Sequence, residues 1–177
     1  MLGKIVETIT EMPLQSVYKQ LIFDPLELKH TYLPCHEDEY IPNMYMNEIT
    51  ISRPNFIRGC RASGGIISTT RELMTFMKAF FGGELFNKTV FQHLNKYNKL
   101  QLTMFPIQYG GGYMRIPLNG FPTLFMGDGD LLGHSGTTGS FAFYYPIKDI
   151  YFVGDMNQLA NPSLPIRLVM RLALSIK

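Results

Sequence analysis

The feature that most constrains this chain is a change of apolar period near Thr103. Upstream, apolar residues recur at helical spacing. Downstream, Tyr109–Ile116, Leu131–His134, Ser140–Tyr145 and Ile150–Asn157 are short runs rich in aromatic and β-branched residues, punctuated by Gly and Pro. Runs of that kind read as strands. Pro146-Ile147-Lys148-Asp149 is a short connector, which makes the last two runs antiparallel neighbours. Asn161 as N-cap and Pro162 in the first turn open a final helix, with Leu168, Val169, Leu172, Ala173 and Ile176 inward. Hairpin-linked strands after a helical stretch predict an α+β fold, an antiparallel sheet with helices packed on it plus a helical part.

Upstream, Leu2, Ile5, Val6, Ile9 and Met12 make one helical face. Pro13 opens a second helix with Leu14, Val17, Tyr18, Leu21 and Ile22 on its apolar side, and Asp24-Pro25 ends it. From residue 33 to residue 60 periodicity fades and prolines accumulate, which predicts a long loop. Thr69 and Glu72 then form a capping box ahead of a helix whose buried stripe is Leu73, Phe76, Met77 and Phe80. Gly82-Gly83 stops that helix. A shorter helix carries Val90, Phe91, Leu94 and Tyr97. The expected organisation is one domain over 1–177, with a mainly helical part (1–102) and a part of strands and C-terminal helix (103–177).

The 177 residues are 46% apolar and 17% charged, a globular balance. The net charge of +2 is spread along the chain without a basic run, so nucleic acid is not an expected partner. Cys35 and Cys60 make neither a disulfide framework nor a metal knuckle, and no cofactor or metal is expected. Lys4, Glu7 and Glu11 interrupt the N-terminal apolar pattern, so no leader peptide is expected there, and no stretch has the length of a membrane span. The compartment is left open.

Chemistry concentrates in Gly127–Ser140, where small residues surround one titratable ring at a strand end. Glycines there admit a ligand or another backbone. His134 and the hydroxyls of Ser135 and Thr137 can bind a carboxylate or carbonyl, and a backbone N–H just after can stabilise an oxyanion. From the residues alone, a glycine-rich hairpin bearing a surface histidine is the simpler account. Asp128 and Asp130 lack the glycine and distal glutamate of a calcium loop and read as turn residues.

His134-Ser135-Gly136 resembles the Lys/His-Thr/Ser-Gly motif of serine β-lactamases and penicillin-binding proteins, in particular the class C-like branch with its peptidases and esterases. Three further stretches agree in order. They are Leu2–Glu7 with Met12-Pro13-Leu14 and Ile22–Thr31, the turn Ala62–Thr69, and the glycine-rich strand Tyr109–Tyr113. The resemblance spans nearly the whole chain. It implies the C-terminal, truncated portion of an α/β sandwich of the β-lactamase/transpeptidase type, acting through an acyl-serine on a β-lactam, peptide or ester. His134, Ser135 and Gly136 would be the third motif, and the Thr137 N–H one arm of the oxyanion hole.

The first two motifs of that family are not matched in place. Ser16-Val17-Tyr18-Lys19 fits Ser-x-x-Lys only as letters, in the middle of a helix, and Tyr45-Met46-Asn47 fits Tyr-x-Asn inside the long loop. The reading is therefore a hydrolase portion inactive by itself. The alternative is a non-catalytic module that binds peptide or another ligand on the same scaffold. A partial sheet and exposed apolar surface also predict self-association.

Overall fold

The computed structural model describes residues 1–87, 89–100, 102–120, 123–124 and 126–176. It divides into two compact units, Met1–Phe76 and Met77–Lys177.

The second unit is built on the sheet. Six antiparallel strands follow one another in chain order: β3 (Asn98–Lys99), β4 (Gln108–Gly110), β5 (Tyr113–Pro117), β6 (Asp130–Ser135), β7 (Ser140–Tyr145) and β8 (Ile150–Asp155). The run Tyr109–Ile116, expected as one strand, is two. Gly111 and Gly112 both take positive φ (58° and 89°), the pairing that closes a two-residue hairpin and that side chains resist. The last strand stops at Asp155, short of Asn157. The connector Pro146–Lys148 is a 3-10 turn, and β7 and β8 pair antiparallel as the spacing implied.

Strand alternation sends Ile116, Leu131 and Phe143 to one face, all fully buried. Helix α6 (Leu164–Ser175) covers this core with Val169 and Ala173. That helix begins later than expected. Ser163 is its N-cap and Pro165 occupies its first turn, while Asn161 stays outside and accepts from Ser163 Oγ (2.9 Å) and Arg167 Nη2 (3.0 Å). Leu172, expected inward, is 40% exposed.

Helix α4 (Thr70–Gly82) ends where Gly83 turns left-handed (φ 80°), as expected. Its last aromatics meet helix α5 (Thr89–Leu94) and the sheet. Phe80 stands edge-on to Phe86, Phe91 and Tyr113, with centroids 5.2, 5.5 and 6.1 Å away. Edge-to-face packing is the favoured geometry for aromatic quadrupoles.

In the first unit, α1 (Leu2–Thr10) leads to α2 (Leu14–Tyr18), which widens into a π-helical turn over Lys19–Phe23. Leu14, Val17, Phe23, Leu28 and Leu33 are buried there. The apolar face of α1 is different: Leu2, Ile5 and Ile9 are all exposed. The stretch from 33 to 60 carries a hairpin, β1 (Met44–Met46) with β2 (Ile49–Ile51), and helix α3 (Pro54–Cys60). Only half of the capping box forms. Glu72 N–H donates to Thr69 Oγ1 (3.2 Å), but the Glu72 carboxylate turns away and accepts from His30 N–H (2.8 Å) and Thr31 Oγ1 (2.6 Å). A charged acceptor bridging a second segment outweighs closing the local box.

Gly133 lies opposite Phe143, and a Cβ there would lie 2.0 Å from Ala142 O. Backbone on the neighbouring strand cannot yield as a flexible side chain would. Gly133→Ala should lower stability by roughly 1–3 kcal/mol in urea unfolding, the usual cost of overpacking. An unchanged midpoint would show that β6 and β7 do not approach so closely.

The Tyr144 hydroxyl is pushed up to about 12 by burial and then by its bond to Asp149 Oδ1, 3.0 Å away. Burial raises Tyr97 as well. Each folded value lies above the ordinary 10.0, so this stabilisation is complete below that pH and is lost as pH rises through the folded value. Alkaline unfolding should start above about pH 10. In Tyr144→Phe the ultraviolet titration should lose a late-ionising tyrosine, and retention of that step would reassign it.

Candidate active site

The site residues sit at one end of β6 and in the turn after it. Burial alternates along β6: Leu131 and Gly133 are buried, Asp130 and Leu132 half-buried, and His134 exposed. Alternation turns the His134 side chain away from that of Leu131, and its ring reaches Tyr109, which also packs against the α6-covered core. Its Nδ1 lies 2.7 Å from Ser135 O. The Tyr109 ring stands edge-on to it, centroids 5.7 Å apart at 83°. The Tyr109 hydroxyl donates to Gly112 O (3.3 Å), which lays that ring along the hairpin turn.

The turn from Gly136 to Gly139 is closed by Gly136 N–H to Ser140 O (2.7 Å) and Gly139 N–H to Gly136 O (3.1 Å). A Cβ on Gly136 would meet Ser140 Oγ at 2.5 Å, so a side chain at 136 would displace the serine. The segment after β8 ties the turn down. Met156 N–H donates to Gly139 O (3.2 Å) and Gln158 N–H to Thr138 O (2.6 Å). Thr137 is exposed, and its N–H meets no acceptor among the described residues. Thr138 N–H likewise meets none among the described residues, and a braced turn with uncommitted N–H groups can serve as an oxyanion donor.

His134, Gly136 and Thr137 are thus brought to one strand end. Ser135 is half-buried, and alternation sends its side chain to the other side from His134. The two motif look-alikes lie in the first unit. Lys19 Nζ is bonded to Asp24 Oδ1 at 2.5 Å. Tyr45 is on the exposed side of the β1–β2 hairpin, and Asn47 is in its turn with φ 54°. A cavity of about 570 Å³ in this unit is lined by Ser16, Lys19, Phe23, Tyr32 and Glu39 among others, all outside the His134 strand.

Two features escaped sequence reading. Tyr109 was legible only as part of a strand; recognising Gly111-Gly112 as a turn would have folded it back toward His134. Asp130 is a strand residue, not a turn residue. It pairs with Arg115 (Nε to Oδ2, 3.0 Å), whose guanidinium also lies over the Tyr97 ring (5.4 Å). Asp128 does make the expected turn, its Oδ1 accepting from Gly129 N–H at 2.7 Å.

Three solved structures share this fold. A D-stereospecific amidohydrolase from Streptomyces sp. superposes with a TM-score of 0.69 at 21% identity, over 89% of this chain and 48% of its own. D-amino acid amidase from Ochrobactrum anthropi SV3, complexed with D-phenylalanine, gives 0.71 at 20% identity, over 96% and 58%. The octameric penicillin-binding protein homologue from Pyrococcus abyssi gives 0.70 at 21% identity, over 97% and 40%. The chain spans about half the length of these proteins. The fold is accordingly the α+β arrangement of β-lactamases and transpeptidases. The Beta-lactamase family model matches residues 1–174, nearly the whole chain, and the chain belongs to the β-lactamase family of serine hydrolases.

Proposed function

We propose that this chain supplies the third-motif wall of an acyl-serine hydrolase and does not turn over substrate by itself. The observation that carries this reading is the pairing, at one end of β6, of an exposed imidazole with the uncommitted Thr137 N–H. In the complete site a serine Oγ attacks the substrate carbonyl carbon. The carbonyl oxygen becomes an oxyanion that Thr137 N–H stabilises, and the amine or alcohol leaves with a proton as the acyl-serine forms. Water then releases the acid. His134 acts at the reacting end of the substrate, and Gly136 gives the substrate backbone room beside the strand. The substrate class is a peptide-like amide or an ester, with β-lactams as the cyclic amides.

The attacking serine is not Ser16. Ser16 lies where α2 runs into a π-helical turn, and Lys19 pairs at the exposed surface with Asp24, in a different compact unit from the His134 strand. A fluorophosphonate or fluorescent penicillin should therefore leave the 177-residue chain unlabelled, with Ser16→Ala indistinguishable from the parent. Stoichiometric labelling at any serine overturns the inactivity. In a polypeptide joining these residues to a Ser-x-x-Lys helix, His134→Ala should lower kcat/KM for a D-amino acid amide by roughly 10²–10⁴-fold, the range for proton-transfer groups. An unaltered rate removes His134 from the site.

The chain by itself is also proposed to self-associate. Leu2 and Ile9 on α1 are 77% and 76% exposed, and β8 ends the sheet. Light scattering should show mass rising with concentration; a constant monomer mass would refute this.

A further inference from the structure

A carbonyl oxygen accepts hydrogen bonds and cannot donate them. The 2.7 Å contact between His134 Nδ1 and Ser135 O therefore needs its proton on Nδ1. In the neutral ring this leaves Nε2 as a bare lone pair. A histidine side chain loose in water favours the opposite tautomer, so something must hold the ring against the carbonyl. Tyr109 is placed to do so. Its ring edge meets the imidazole from β4 at 83°, and its own hydroxyl is anchored on Gly112 O. The imidazole is bounded by its own strand on one side and by Tyr109 on another.

We infer that Tyr109 is a positioning residue that, together with the Ser135 carbonyl, holds His134 as the Nδ1–H tautomer and makes Nε2 the atom offered to a ligand. A lysine at this place would offer donors only. His134 instead accepts from a ligand N–H or O–H while neutral, and donates from the same Nε2 once protonated. The ligand side of this statement rests on His134 lining the site; the tautomer itself does not.

The test is long-range ¹H–¹⁵N correlation of the imidazole rings in the 177-residue chain, at a pH well above the ordinary imidazole value of about 6.5. His134→Gln identifies the resonances against those of His30, His36 and His93. The expected pattern is a protonated Nδ1 and an unprotonated Nε2 for His134. A protonated Nε2 overturns the inference. Tyr109→Ala should move the ring toward the Nε2–H form, and Tyr109→Leu, which keeps bulk without an aromatic edge, should do the same if the alanine variant fails to fold. Tyr109→Phe retains the ring but loses its bond to Gly112 O, and should fall between the parent and the leucine variant. A tautomer unchanged in both the alanine and the leucine variants removes Tyr109 from the role. No substrate enters these measurements. A chain with the expected tautomer, whose complete enzyme is indifferent to His134→Ala, would lose the proposed function and keep this inference.

Discussion

The approach of β6 to β7 at Gly133 governs the rest of the site. Ala142 O occupies the space a side chain at 133 would need, and opposite Gly133 the Phe143 ring is fully buried. Because the strands close up there, Leu131 and Phe143 join the layer beneath α6. Period-two alternation then leaves the next residue, His134, no place in that core. The strand that closes up at Gly133 thus leaves its next residue exposed at the strand end. The same device recurs at the far pairing, where Phe141 lies against Gly154 and a Cβ would be 2.6 Å from the ring.

Rigidity passes from the strand pair to the turn. The carbonyls of Gly136, Thr138 and Gly139 all receive backbone donors, two of them from the segment following β8. A turn fixed through its carbonyls keeps its remaining N–H direction without reorganisation when charge appears. The Thr137 N–H shares its peptide plane with Gly136 O, so the Gly139 N–H that bonds this carbonyl sets its direction, while Met156 and Gln158 hold the rest of the turn.

What could be read from the sequence divides along local against non-local causes. The strands β6 and β7, the β7–β8 connector and the Gly83 stop follow from period and turn chemistry within a few residues, and they were legible. Gly111-Gly112 was a local signal misread as strand interior, because the aromatic run on either side masked the turn. Glu72 could not be assigned locally at all. Its position fits a capping box, yet its carboxylate serves His30 and Thr31, some forty residues away in the chain. Asp130 was hidden for the same reason, since its partner Arg115 lies on a different strand. Stretch 33–60 hid its hairpin because β1 and β2 are three residues each and largely exposed, too short and too wet for an alternation to register. Of the site, His134 was visible as an oddity and as a resemblance. Tyr109 was invisible because contact across two strands leaves no mark on spacing.

A letter pattern becomes chemistry only where the group it names still has a free valence. Ser16-x-x-Lys19 shows the negative case. The spacing is right, but Lys19 opens a π-helical turn that runs to Phe23, and its ammonium lies at the exposed surface beside Asp24. Thr137 shows the positive case. Nothing about a threonine in a glycine-rich turn looks reactive, yet its backbone N–H, like that of Thr138, is left without an acceptor among the described residues. His134 lies between these: Nδ1 is committed, and Nε2 has no partner among the described residues. Accounting for each donor and acceptor in turn, and not the count of matched letters, separates the residues that can act from those that only resemble actors.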